Sequence, residues 1–563
     1  MKKGILITFL VIVVFILLIG LAVGFLYMQL TREPEIPGNA LLTISISGPV
    51  VDVDDSMLPK HISIQDLWYH IGRAKIDNRI KGIVLKISYI ETGLAKIEDI
   101  GRMILDFRKS NKKVYAFIEA GGIGDYYLAT FADKTYLFKG GGLMLGGLAI
   151  EVIFLKKTLS KIGIQADFIN IGEYKTAADM FTQETMSPFF KESYSKLLED
   201  IYDSTIKGIA RNRGLSAVSV RNIIDDSPGS NDDLLKAKMI DGLLYEDEIF
   251  KNSKENYRFV PFEVYASTSS PLPYEGSQRI AIIFASGEIH SGKSGGTSLF
   301  GTAIMGADSV AQQLRAARKS PSVKAVVLRV DSPGGSAVAS EVIRREAELV
   351  AKVKPLVISM SDLAASGGYW ISTPSNSIMA LPQTITGSIG VISGKFVMKE
   401  LYNSIGVEKQ ILKTSTYADM FTDTRPFNDL ERKKITAIME NLYRFFLKIT
   451  SKGRHIKIDD VDKIARGRVW AGTSAVNLKL VDKIGGINDA IDEAKKLAKI
   501  PAKDPIGVVV FPKKKSLFDT VYELLSGKAL ANTQNPVMSV ESQVEMYKKF
   551  FPAFLMPYRL SFN

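Results

Sequence analysis

An α/β fold written twice in tandem, with mostly parallel sheets and one N-terminal transmembrane helix ahead of it, is what this 563-residue sequence predicts. Three observations carry that expectation. The chain opens on a long uncharged apolar run. Beyond it, runs rich in Val, Ile and Leu alternate with segments of helical period, the pattern of βα units around a parallel sheet. The same alternation then recurs at the offset that separates Ile80 from Val323, the mark of a duplicated domain.

The first element is the run from Ile5 to Tyr27, ILITFLVIVVFILLIGLAVGFLY, and about 20 such residues span a bilayer. It passes into Met28-Gln29-Leu30 without a small-residue cleavage site, so an uncleaved anchor is expected rather than a removed signal peptide. Lys2 and Lys3 stay in the cytoplasm by the positive-inside bias, which sends the chain after Thr31 outward. The expected placement is a single-pass protein of the inner (plasma) membrane whose bulk faces the periplasm or cell exterior. Residues 1–30 form the cytoplasmic tip and anchor, and 31–40 a linker.

The first copy covers 41–265 and the second 279–500. NRIKGIVLKI from Asn78 answers PSVKAVVLRV from Pro321, and GDYYLAT from Gly124 answers GGYWIST from Gly367. Buried strands are expected at 81–87 and 324–330, with helices from Ile97 to Arg108 and Glu341 to Lys352 behind them. Right-handed crossovers follow from that order. Between the copies, residues 266–278 contain STSSPLPYEGSQ, the composition of a linker. Residues 501–563 form a tail whose end, FFPAFLMPYRLSFN, is apolar and broken by Pro552 and Pro557.

Composition excludes several function classes. There is no cysteine, which removes disulfides, zinc-thiolate sites and a thiol nucleophile together. The net charge of +12 is scattered in short runs with no basic-aromatic motif, so no nucleic-acid partner is expected. No metal cluster, nucleotide loop or haem motif is present, and no cofactor is expected.

Two strand-to-helix turns in the second copy carry chemistry. In Asp331-Ser332-Pro333-Gly334-Gly335-Ser336, consecutive glycines let the backbone turn sharply and present amides to an oxyanion. In Ser361-Asp362-Leu363-Ala364-Ala365-Ser366-Gly367-Gly368-Tyr369-Trp370, small residues surround one serine, so a substrate backbone can approach its hydroxyl. A serine nucleophile needs a base. None of His61, His70, His290 and His455 lies in a triad motif, and the next option is a lysine kept neutral by burial.

DSPGG, AASGGYWIST and the TITGSIG run from Thr384 to Gly390 together resemble the signal peptide peptidase A (protease IV) family, whose fold is similar to Clp protease and crotonase. The segment Ile171-Gly172-Glu173-Tyr174-Lys175-Thr176-Ala177 is similar to that family's lysine segment. The resemblance implies Ser366 as nucleophile, Lys175 as general base and Ser388 as the hydroxyl that orients the lysine. It also implies an oxyanion hole of Gly335 or Gly334 with Gly367. It further implies cleaved signal peptides and other extended peptides as substrates, and a homo-oligomer of four copies held at the membrane through residues 5–27.

The internal repeat adds a constraint of its own. Ser366 aligns with Ile123 in the first copy, and Lys175 aligns with Ala418, or with Ser415 if the shared ADMFT segments are matched. Each copy therefore holds one half of a dyad, and a single composite site remains. Two rival readings stand beside it: a crotonase-like acyl-CoA lyase or hydratase, and a catalytically inactive membrane-tethered scaffold or chaperone of the same fold.

Overall fold

The computed structural model describes residues 33–54, 61–250, 255–296 and 303–512, together with Phe15, Leu17, Leu18 and the backbone of 553–554. The expected membrane span lies almost wholly outside these residues, as does most of the tail. Among the described residues no helix is long and apolar enough to cross a membrane.

The first copy runs β1 (Ala40–Val51), β2 (Ile62–Ser63), α1 (Ile64–Ile76), β3 (Ile80–Glu91), α2 (Leu94–Arg108), β4 (Lys113–Gly121), α3 (Ile123–Ala129), β5 (Lys134–Leu143), β6 (Gln165–Ile171), α4 (Pro188–Arg213), β7 (Gly242–Leu244) and β8 (Arg258–Pro261). Its sheet has the order β2-β1-β3-β4-β5-β7, with β8 also on β1. Every pair in it is parallel. Ile83, Val84 and Leu85 are consecutive and all buried, because both faces of the sheet are covered.

The second copy repeats the scheme as β9 (Arg279–Ser286), β10 (Glu288–His290), β11 (Ile304–Gly306), α5 (Ala307–Lys319), β12 (Val323–Ser332), β13 (Gly335–Ser336), α6 (Ala337–Ala351), β14 (Leu356–Ala365), α7 (Gly367–Ser372), β15 (Ser377–Ala380), β16 (Ile385–Gly387), β17 (Val391–Val397), α8 (Asp429–Arg454), β18 (Val469–Ala471), β19 (Lys483–Ile484), α9 (Ile487–Leu497) and β20 (Gly507–Phe511). The order is β18-β16-β14-β12-β9-β20, with β15 also on β14 and β19 on β15. Only the β16–β18 pair of this sheet is antiparallel among the described residues.

A third sheet, β11-β10-β13-β21-β17-β6, ties the copies together. In it β6 of the first copy runs antiparallel to β17 of the second, from Val391 opposite Ile171 to Val397 opposite Gln165. The two-residue β21 (Ala553–Phe554) pairs antiparallel with Gly335 and Ser336 and meets Ile392 on its other side. An apolar core is continuous across the copies, joining Trp68, Ile97 and Ile104 of the first to Ile282, Val327, Ile487 and Ile491 of the second.

Three details depart from the sequence reading. Both crossover helices begin earlier than the segments read from the sequence, at Leu94 and Ala337, and polar groups cap their first turns. Ser336 caps α6, accepting from the Ala339 amide. The α2 cap comes from the other copy: Asp362 accepts from the Gly93 and Lys96 amides at 3.1 and 2.9 Å. The inter-copy linker is pinned, since the Tyr274 ring stacks on Trp68 with centroids 4.8 Å apart. Arg73 and Arg79 donate to the carbonyls of Pro271 and Ser270 as well. Finally, residues 507–511, expected in the tail, form the edge strand β20 on β9.

Candidate active site

Strand β14 delivers Ser366 at its carboxyl end, where open α/β sheets place their sites. The Ser366 backbone sits at φ +57°, ψ −114°, a conformation that non-glycine residues adopt at a cost of about 1–3 kcal/mol. It is held there by its amide, which donates to Gly387 O at 2.8 Å, and by its carbonyl, which accepts from Trp370 N at 2.9 Å as α7 begins. Strain at that position turns the hydroxyl out of the strand and the following amide along with it.

Lys175 arrives from the first copy, four residues after β6, the strand that crosses to pair with β17. Its Nζ lies 2.8 Å from Ser366 Oγ, 2.9 Å from Ser388 Oγ and 3.0 Å from Ser388 O. The side chain is buried, and no carboxylate among the described residues pairs with it. Burial alone pushes its pKa down from the usual lysine range to about 7, since a charge without a counter-ion is penalised in a low-dielectric site.

The three contacts also set the proton positions. A neutral amine has two hydrogens and one lone pair. One hydrogen must go to the Ser388 carbonyl, which can only accept. With the other on Ser388 Oγ, the lone pair faces the Ser366 hydroxyl. Ser388 has a left-handed backbone (φ +50°) and is fixed by its amide on Arg468 O at 2.8 Å.

The glycine turn after β12 lies beside this cluster. Gly334 N donates to Ser332 Oγ at 3.2 Å, so its amide is committed within the turn. Gly335, at φ +148°, packs so closely on β10 that a Cβ there would fall 2.2 Å from Ile289 O, and a Cβ on Gly367 would fall 3.2 Å from Gly335 N. Both glycines of the turn lie beside Gly367, where a Cβ would fall 3.1 Å from Gly334 Cα as well.

Sequence reasoning missed the segment that seats the lysine. Gly467 (φ +85°) lies so near that a Cβ would be 2.4 Å from Lys175 N. Arg466 O accepts from Tyr174 N at 3.0 Å, and Gly467 N donates to Ile389 O at 2.7 Å. The available signal was a glycine between two arginines just before a strand, which is weak on its own. No histidine among the described residues shares a hydrogen bond with Ser366 or Lys175. His70 contacts Arg73, His290 pairs with Glu288, His455 ends α8 in a left-handed cap, and the His61 amide donates to Asp54.

A duplicated parallel α/β fold with a strained, buried serine hydrogen-bonded to a buried lysine defines the class as a serine hydrolase. The Peptidase family S49 profile matches residues 106–259 and 348–501, one stretch in each copy. The chain is 32% identical over 482 residues to the serine protease SPPA, chloroplastic, of Arabidopsis thaliana, covering 84% of this chain and 71% of that protein. It is 33% identical to Protease 4 of Salmonella typhi, covering 86% of this chain and 83% of the relative. With Protease 4 of Haemophilus influenzae the identity is 31%, over 84% of this chain and 78% of that one. The chain belongs to peptidase family S49 and is a serine protease.

Proposed function

We propose that this protein is a membrane-anchored serine endopeptidase that degrades cleaved signal peptides and other extended peptides outside the cytoplasm, using Ser366 and Lys175 as a dyad. The observation that carries the proposal is the 2.8 Å contact between Lys175 Nζ and Ser366 Oγ, made by a buried lysine with no acidic partner among the described residues. Neutral Nζ takes the Ser366 proton as Oγ attacks the peptide carbonyl, and the resulting ammonium protonates the leaving amine. Ser388 holds Nζ in line. The Gly367 amide, with that of Gly335 or Gly334, receives the oxyanion, each such donor typically contributing about 3 kcal/mol. Water then releases the acyl group by the reverse proton path.

An extended substrate is supported by the backbone of Ala553–Phe554, which runs as an added strand against Gly335-Ser336 and Ile392. Strand addition of this kind reads main chain and tolerates varied side chains, which suits a degradative enzyme. Anchoring rests on the Ile5–Tyr27 run. Against the inactive-scaffold reading stands the burial of Lys175, which lowers its pKa to about 7, so that a substantial share of the amine is neutral near neutral pH.

Assembly into a homo-oligomer, four copies by the family resemblance, is supported by the repeat. Residues 148–154 correspond to β17 and 408–414 to β6, yet neither segment lies in a strand, and Leu412 is fully exposed. A second copy would supply each with the antiparallel partner that β6 and β17 already give one another. Proline at Val152 and Gln410 would block that pairing: dissociation on sedimentation supports it, and an unchanged assembly refutes it.

The test of function is hydrolysis of a fluorogenic apolar peptide by the full chain in detergent. Loss of turnover in Lys175→Ala and Ser366→Ala separately, with folding intact, supports the dyad. Near-full activity in Lys175→Ala would place the base elsewhere.

A further inference from the structure

Beneath the catalytic turns lies a buried ionic cluster built from both copies. Lys96, in the first turn of α2, sends Nζ to Asp331 Oδ2 at 2.6 Å and Asp362 Oδ2 at 2.9 Å, and approaches Asp52 at 3.3 Å. Arg329 pairs with Asp52 at 2.9 Å and Asp99 at 2.8 Å. Lys96, Arg329, Asp52 and Asp99 are each buried.

The position of the cluster relates it to chemistry. Asp331 is the residue before Ser332-Pro333-Gly334-Gly335, and Asp362 stands four residues before Ser366. Between them the β12–β14 register slips: Val330 is opposite Met360, but Ser332 is opposite Ala364. Two residues of β12 thus span four of β14, and the amide of Leu363 is taken by Asp331 Oδ1 at 3.1 Å instead. The slip is closed by carboxylates rather than by the ladder. Those carboxylates meet at one ammonium, and burial together with the neighbouring Asp52 and Asp362 pushes the Asp331 carboxyl up to about 7 against the pull of Lys96.

The repeat sharpens the assignment. At the offset relating Ile80 to Val323, the counterparts of Lys96, Asp99 and Asp331 are Ala339, Val342 and Ser88. Arg329 and Asp362, by contrast, answer Lys86 and Glu119, so what is particular to this junction is the lysine together with Asp331 and Asp99.

We propose that Lys96 is a positioning residue for the protease reaction: by binding Asp331 and Asp362 together from the opposite copy, it sets the spacing between the oxyanion turn at Gly335 and the nucleophile turn at Ser366. Lys96 touches neither substrate nor the dyad. It acts through the two strand ends, and its loss separates groups whose alignment the transition state requires more than the ground state does. The inference rests on the dyad reading above.

The experiment compares wild type with Lys96→Met in the full chain in detergent, with reactive sites counted by fluorophosphonate labelling. The expected result is a fall in kcat on the order of 100-fold, the cost of about 1 Å of misplacement, with KM within about threefold. A peptide aldehyde, whose adduct places an oxyanion in the hole, should lose affinity in proportion to kcat/KM. Adding Asp331→Asn to Lys96→Met removes one facing carboxylate and should recover part of kcat.

A merely structural lysine would lower the unfolding temperature and leave kcat per labelled site and aldehyde affinity unchanged, and kcat within threefold of wild type overturns the proposal. If Lys96→Met does not fold, Asp362→Asn decides by the same threefold threshold, because it keeps an acceptor oxygen for the α2 amides. Lys175→Ala and Ser366→Ala run alongside. Activity in either sinks the dyad reading itself, whereas their inactivity with full activity in Lys96→Met sinks this inference alone.

Discussion

Replacing Lys175 with methionine should abolish activity and at the same time stabilise the protein at neutral pH, with an advantage that reverses as pH rises. The folded-state pKa is about 7 against an ordinary lysine value of 10.5. Because the folded value is the lower one, the unfolded chain binds a proton between pH 7 and 10.5 that the folded chain does not. Stability of the wild type therefore rises with pH through that window, by about 1.4 kcal/mol per unit or about 5 kcal/mol in all. Below pH 7 both states hold the proton and the full penalty remains. Methionine keeps the length of the stem and removes the titration, but it also gives up the three contacts to Ser366 and Ser388, worth about 1 kcal/mol each. The variant should thus be more stable by about 1–2 kcal/mol at pH 7 and less stable by about 2 kcal/mol at pH 10, crossing near pH ~8. Urea or thermal unfolding of both proteins from pH 6 to 10 measures this directly. Stability curves that run parallel across that range would refute the neutral buried lysine, and with it the base assignment.

The same pKa sets the activity profile: kcat/KM of the wild type should fall about tenfold per unit below pH 7 and level off above it, and a profile flat down to pH 5 would contradict a lysine base. Ser388→Ala should lower kcat roughly 10- to 100-fold with little change in KM, because the carbonyl of residue 388 still holds Nζ; steady-state kinetics on the fluorogenic peptide checks it. Gly335→Ala forces a methyl to 2.2 Å from Ile289 O, and a loss on the order of 100-fold or more in kcat is expected, with peptide-aldehyde affinity falling in step. Gly467→Ala presses on the Lys175 backbone at 2.4 Å and should lower fluorophosphonate labelling of Ser366, whereas wild-type labelling would show that the lysine does not depend on that seat.

Ser366 and Lys175 meet across two copies of one fold that diverged in complementary ways. Ser366 has Ile123 as its counterpart, and the first copy uses that position as buried core. The backbone around the first-copy turn was kept, with Tyr126 and Tyr369 each buried and each donating to a carbonyl near the end of its own copy, Met239 O and Leu480 O. The scaffold was retained in both copies while the chemistry was partitioned between them.

What the sequence by itself determined was the tandem α/β class, the buried parallel strands, the two glycine-bearing turns and the division of serine and lysine between the copies. Those features are local: apolar runs, small residues around one serine, and an offset that any two segments either share or do not. Tertiary structure alone decided the rest. It brought Lys175 to Ser366 across 191 positions of sequence, through an antiparallel β6–β17 pairing whose strands carry no local sign of partnership. It recruited Gly467, Lys96 and Asp362, whose roles depend on the opposite copy, and it drew residues 507–511 from the tail into the sheet. Burial without a counter-ion is what lowers the pKa of Lys175, and burial is a property of everything packed around a residue rather than of the residue or its neighbours in the chain.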